Sequence, residues 1–127
     1  DFSSAAQMAF ECELRHIGCT LDNRDMSLLV IGKEAEGKNK IWVTARQHPG
    51  ESMAEWLVEG VVRRLLDEDD GVAKQLLENN VFYVIPNMNP DGSARGHLRT
   101  NAIGTNLNRE WRQPSAEKSP EVLYTLQ

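Results

Sequence analysis

Three short stretches of this 127-residue chain carry side chains that could do chemistry. In HPGES, His48 and Glu51 stand three residues apart across a Pro49-Gly50 turn into a helix, so that imidazole and carboxylate can converge on one cation. Those donors suit Zn²⁺, and two histidines with one glutamate form a recurring catalytic set that leaves one coordination position open. The same HxxE spacing also arises in a polar helix cap. The second stretch, Asn89-Pro90-Asp91-Gly92, has the composition of a tight reversal directly after a strand. The third, HLRTNAIGTNLNREW, holds Arg99, Asn108, Arg109 and Trp111. A guanidinium offers a planar fork of donors that matches a carboxylate, and Asn adds a neutral donor and acceptor. These arginines either meet an anionic substrate group or brace the loop through carbonyls and carboxylates.

The elements that must position these stretches can be read from hydrophobic period and turn residues. Ala5 to Leu14 reads as the end of an amphipathic helix. LRHIGCTL and MSLLVIG, separated by the polar turn Asp22-Asn23-Arg24-Asp25, predict a hairpin. After the polar loop KEAEGKNK, Ile41 to Ala45 is a short apolar run of buried-strand character. From Glu51 the period changes: Met53, Trp56, Leu57, Val61 and Leu65 recur at helical steps, as a stripe packed on a sheet would. Asp67 to Gly71 ends that helix, and Val72, Ala73, Leu76 and Leu77 mark a second. VFYVI (Val81 to Ile85) is the next buried strand. Asn87 to about Pro114 loses apolar periodicity, and a loop of that length in a compact domain is usually functional. Ser119-Pro120-Glu121 resembles a helix start, with Ser as N-cap and Pro at the first helical position. Two apolar strands joined by helices imply an α/β fold whose sheet is covered on both faces. Sites in such folds lie outside the carboxyl ends of strands, which is where His48 and the Asn87–Trp111 loop both fall.

Composition narrows the function classes. Fourteen Lys+Arg against nineteen Asp+Glu give a net charge of −5, with a pI near 5.2. That balance argues against nucleic acid as a partner, because affinity for phosphate backbones is supplied by Lys and Arg. Hydrophobic residues at 40% and charged residues at 26% are those of a globular chain. No apolar run reaches the roughly 20 residues that span a bilayer, so no membrane partner is expected. No basic-then-apolar leader is visible after Asp1. Cys12 and Cys19 are too few for a disulfide framework and read as reduced thiols, which together suggest a cytoplasmic protein.

Taken in order, HPGES, NPDG and an Arg-containing loop ending in NLNREW resemble the zinc carboxypeptidase family. The resemblance is to its cytosolic carboxypeptidase-like branch, bacterial members included, and runs from about Thr20 to the end. It implies a mixed, mostly buried sheet with helices on both faces, one Zn²⁺, and a peptide or protein C-terminus as substrate. His48 and Glu51 would be the first two zinc ligands, within the His₂Glu set known from carboxypeptidase A. Arg99 would polarise the scissile carbonyl and support the oxyanion, with Arg95 a poorer fit to the family spacing. Asn108 and Arg109 would grip the substrate's terminal carboxylate. The family's third ligand, a histidine, and its general-base glutamate lie well downstream of the Asn-Arg pair and have no counterpart before Gln127. His97 and His16 are out of position and read as loop or strand histidines, and Glu55 as an ordinary helix carboxylate. Residues 1–127 are therefore expected to be the leading part of one metallocarboxypeptidase catalytic domain, inactive by itself. Two other functions share these features: a zinc-dependent deacylase of small N-acyl acidic amino acids, like the desuccinylases and aspartoacylases, and a non-catalytic binding module.

Overall fold

The computed structural model describes residues 12–127. The helix expected over Ala5–Leu14 lies outside the described residues as far as position 11. From Cys12 the chain is a strand instead, because Leu14 and its neighbours pair with the following strand. Strands β1 (Cys12–Cys19) and β2 (Asp25–Ile31) form the predicted antiparallel hairpin, with Asn23 left-handed at φ 58° in the turn. Strand β3 (Asn39–Thr44) is followed by helices α1 (Met53–Leu65) and α2 (Gly71–Asn79) and then by β4 (Asn80–Ile85). The sheet order is β1-β2-β4-β3, with β4 parallel to β3 and antiparallel to β2. Helix α3 (Pro90–Arg95), a 3-10 turn (Leu107–Arg109) and helix α4 (Pro120–Leu126) follow.

The near-continuous apolar runs are explained by burial on both faces of the sheet. Leu29, Ile31, Phe82 and Val84 pack beneath Val58, Val62 and Leu65 of α1. Leu28, Val30, Val81, Tyr83 and Ile85 face the other way, under Met88, Leu107 and Val122 of the C-terminal half. This is the expected mixed α/β sheet with helices on both faces, α1 and α2 on one and α4 on the other.

Two expectations about burial are corrected. On α1, Val58, Val62 and Leu65 are buried, whereas Met53, Trp56 and Leu57 are exposed, Trp56 by 73%. Apolar residues occupy two faces of this helix, and the slim valines, not the indole, fit against the pleated sheet. Strand β3 is also less buried than its composition suggests. Among the described residues it is an outer strand, and Trp42 and Thr44 are exposed, with Trp42 stacked on Tyr83 at a ring separation of 4.9 Å. At the start of α4, Pro120 occupies the first turn as expected, but the Ser119 hydroxyl accepts from Ser115 N (3.2 Å) and leaves its own helix uncapped.

The cysteines stand at opposite ends of β1, about 23 Å apart at roughly 3.3 Å per residue. A disulfide tolerates roughly 7 Å between Cα atoms, so the two cannot bridge each other.

The carboxylate of Glu34 joins the segment after β2 to the sheet. Arg15 donates to it at 2.8 Å and the Tyr83 hydroxyl also donates to it. Arg15, then Tyr83, holds its pKa down at about 2, from an ordinary value of 4.5. A lowered folded-state pKa means that stabilisation is present above the ordinary value and lost as pH falls. Glu34→Gln should therefore flatten the acid limb of a melting-temperature profile between pH 4.5 and 2. An unchanged slope across that window would show that the ion pair does not hold the segment.

Candidate active site

The site is built where β3 and β4 end side by side. Past the strands, Ala45 N donates to Ile85 O (2.9 Å) and Met88 N to Ala45 O (2.8 Å), so both outgoing segments leave from one rim. Arg46 then turns left-handed at φ 52°. Its guanidinium donates to Pro49 O (2.8 Å) and to Glu55 (2.5 Å), tying the turn to the first turn of α1. Glu55 is occupied as the ordinary helix carboxylate anticipated for it. This clamp folds His48 inward, where it is only 6% exposed.

Both ring nitrogens of His48 have polar neighbours. Asn106 Oδ1 accepts from the backbone N–H of Asn108 (3.1 Å), so the oxygen, not the amide nitrogen, faces His48 Nε2 at 3.1 Å. A proton on Nε2 would satisfy that oxygen, and Nδ1 faces Glu51 Oε1 at 3.2 Å, close enough for a proton or a metal ion to be held between them. Two acceptor atoms at that distance need a positive centre between them, either a proton on Nδ1 or a metal ion. Ligand atoms about 2.0–2.1 Å from a tetrahedral ion lie about 3.4 Å from each other, so the pair fits a zinc-like centre. An acceptor on the far nitrogen is also the usual support of a metal-bound histidine.

Arg99 arrives from the loop. Gly50 N donates to Leu98 O and His97 N to Gly92 O, both at 2.9 Å. These bonds bring the Arg99 guanidinium to 3.2 Å from His48 Nε2 and 3.9 Å from Glu51 Oε1. The guanidinium is half-exposed, so the rest of its fork of donors is open to an incoming oxygen. Arg95, by contrast, makes a forked pair with Asp22 (2.8 and 2.6 Å) and braces the hairpin turn. Asn108 and Arg109 ride on the 3-10 turn that Asn106 caps. Both are exposed, with no side-chain partner among the described residues. Trp111 anchors their loop by donating to Gln47 Oε1 at 2.6 Å.

NPDG does more than reverse the chain; it starts α3. Asn89 caps the helix through Gly92 N (3.0 Å) and donates to Gln47 O (3.1 Å), while Pro90 takes the first helical position. Asp91 is fully buried and accepts from Thr20 Oγ1 (2.7 Å), Asp22 N (2.9 Å) and Arg24 (3.0 Å). Gly92 is the contact point of the whole rim. A Cβ there would lie 2.3 Å from Thr100 O and 2.5 Å from Pro49 Cγ.

His48, Glu51 and Arg99 are thus brought together, with Asn108 and Arg109 one capped turn away. His97 remains a loop residue, its Nδ1 3.0 Å from Asn101 O. Among the described residues one further group could chelate a metal: His16, Cys19 and Asp25, whose ligand atoms lie within 4.8 Å of one another on the β1–β2 hairpin. The residues missed in the sequence are Asn106, Gln47, Asp91 and Gly92. For Asn106 a signal exists, an Asn ahead of a helical turn, but its partner His48 is 58 residues away.

The family model of the zinc carboxypeptidases matches residues 4–122. The chain belongs to this family. An uncharacterised protein of Zymomonas mobilis is 59% identical over 107 residues, which cover 84% of this chain and 27% of that protein. The solved metallo-carboxypeptidase of Pseudomonas aeruginosa is 46% identical with a TM-score of 0.92, covering 98% of this chain and 33% of its own. Human cytosolic carboxypeptidase 4 is 44% identical over 82 residues, 65% of this chain and 7% of that protein. The comparisons therefore support a bacterial-type member of the zinc carboxypeptidases. The chain spans no more than about a third of these relatives. No helix among its described residues is long and apolar enough to cross a membrane.

Proposed function

We propose that the protein to which this chain belongs removes the C-terminal residue from peptides or proteins as a one-zinc metallocarboxypeptidase. One observation carries the reading: Asn106 supports His48 from behind and caps the turn bearing Asn108 and Arg109, so ligand pair and carboxylate pair share one hinge. His48 Nδ1 and Glu51 would hold the ion, with the third histidine and the general-base glutamate contributed by residues outside this sequence. Bound there, zinc lowers the pKa of water toward ~7 and polarises a carbonyl. The chain's own residues do the rest. Asn106 keeps the Nε2 proton in place and so keeps Nδ1 available to the metal. Arg99 faces the charge that develops on the carbonyl oxygen. Asn108 and Arg109 hold the terminal carboxylate, which an internal peptide bond lacks, and so restrict cleavage to the last residue. The Pseudomonas aeruginosa relative was solved with (2-guanidinoethylmercapto)succinic acid, a ligand that itself carries carboxylates. Kinship with the cytosolic branch, and with it a cytoplasmic location, belongs to this proposal.

His48→Ala in the complete protein tests it. Zinc content should fall by about one ion per chain relative to the parent, and release of C-terminal residues should vanish with it, while far-UV circular dichroism stays unchanged. Zinc content equal to the parent's would remove His48 from the site.

A further inference from the structure

We infer that the hairpin end of β1 and β2 is a second divalent-metal site, formed by His16, Cys19 and Asp25 and taking a borderline ion such as Zn²⁺ or Co²⁺. None of the three belongs to the proposed zinc centre at His48 and Glu51, and the inference stands independently of the proposed function.

A β-bulge creates the site. Side chains alternate along a strand, so residues three apart normally point to opposite faces. Here the register slips between His16 and Gly18: His16 pairs with Ser27, Gly18 with Met26 and Cys19 with Asp25. Ile17 is the extra residue, and its insertion turns His16 and Cys19 to the same face, with Asp25 directly opposite Cys19. The bulge is pinned from behind. The Tyr124 ring of α4 lies 2.3 Å from where a Gly18 Cβ would stand, so any larger residue would have to displace the ring.

The three donor atoms form a triangle. His16 Nε2 lies 3.2 Å from Asp25 Oδ1 and 3.5 Å from Cys19 Sγ, and Sγ lies 3.9 Å from Oδ1. A tetrahedral ion with nitrogen and oxygen at about 2.0–2.1 Å and sulfur at about 2.3 Å requires edges of about 3.4, 3.5 and 3.6 Å. Each observed edge is within about 0.3 Å of its counterpart. A Cys-His-Asp nucleophilic relay does not fit, because it places thiol and carboxylate on different ring nitrogens. Here both converge on Nε2, as donors to a single ion must. Thiolate with imidazole selects zinc or cobalt over magnesium or calcium. On binding, the Cys19 S–H bond breaks, a sulfur–metal bond forms and the proton leaves to solvent. Thiolate and carboxylate then balance the ion's two charges, and the exposed side leaves the fourth position to water.

Cobalt is the probe, because cobalt–thiolate bonds absorb in the near ultraviolet and nitrogen–oxygen sites such as His48–Glu51 do not. Under reducing conditions, titration with Co²⁺ should produce a charge-transfer band that saturates at one equivalent for this site. Cys19→Ser should abolish the band, and His16→Gln and Asp25→Asn should each weaken the affinity. Cys12→Ser and His48→Ala should leave it intact. No band with cobalt in excess, or one that persists in Cys19→Ser, overturns the inference. An equal band in denaturing urea also overturns it, since it would report chelation by the unfolded chain.

Discussion

Arg109→Ala in the complete protein is expected to lower kcat/KM on peptides with a free C-terminus by roughly 10- to 150-fold. That range is the rate equivalent of losing a hydrogen bond to a charged group, roughly 1.5–3 kcal/mol. Peptides amidated at the C-terminus should be poor substrates for the parent and lose little further in the variant, since they bring no carboxylate to the Asn108-Arg109 pair. Arg99→Ala should differ in kind, lowering kcat more than it raises KM, because its partner charge develops only in the transition state. If Arg109 instead braced the NLNREW loop, free-acid and amidated peptides would lose rate by the same factor. That outcome would take the exopeptidase argument with it.

Gly92→Ala should be the most damaging small substitution in the rim. Its methyl would lie 2.3 Å from Thr100 O, 2.5 Å from Pro49 Cγ and 2.8 Å from Asn89 Oδ1, two of them on the segments that carry Arg99 and His48. Overpacking of this kind typically costs about 1–3 kcal/mol. Because the obstructing Thr100 atom is backbone, relief must move a site-bearing segment, so zinc affinity should fall along with stability. Gly60→Ala is the control. It lies in α1 with nothing within 4 Å of its Cβ position, and should stabilise the helix by up to about 1 kcal/mol. Denaturant unfolding of the two variants separates the cases, and equal stabilities would show that the rim has slack.

Much of this was legible in the sequence because it rests on neighbours in the chain. His48 and Glu51 are three residues apart after an apolar strand, and that alone puts them at a sheet rim. The hairpin is similarly local. Helix α1 was legible as a helix but not by its inner face, since Met53, Trp56 and Leu57 form a second apolar face beside that of Val58 and Val62. Hydrophobic period cannot choose between two apolar faces; the shape of the sheet does. NPDG has the composition of a reversal, yet Asn89-Pro90 starts a helix through the same cap-and-proline arrangement that Ser119-Pro120 suggests in sequence. The role of its aspartate was not legible at all. Asp91 is buried against Thr20 and Arg24, 71 and 67 residues away, and only the folded chain brings them together. Asn106 was hidden for the same reason.

The position of β4 between β2 and β3 has a consequence for the order of assembly. The β1–β2 hairpin closes across a few residues and can form early, in about 1–10 μs by analogy with isolated hairpins. β4 is separated along the chain from both β2 and β3 by α1 and α2, so its non-local pairing, which bridges the hairpin to β3, is expected to follow hairpin formation. His48 hangs from the end of β3, and the loop bearing Arg99 and Asn106 from the end of β4. The half-site therefore does not exist in any intermediate that lacks the central strand. If His48 and Glu51 hold the proposed zinc, its loading would follow sheet completion, and the bound ion would resist the withdrawal of β4 during unfolding.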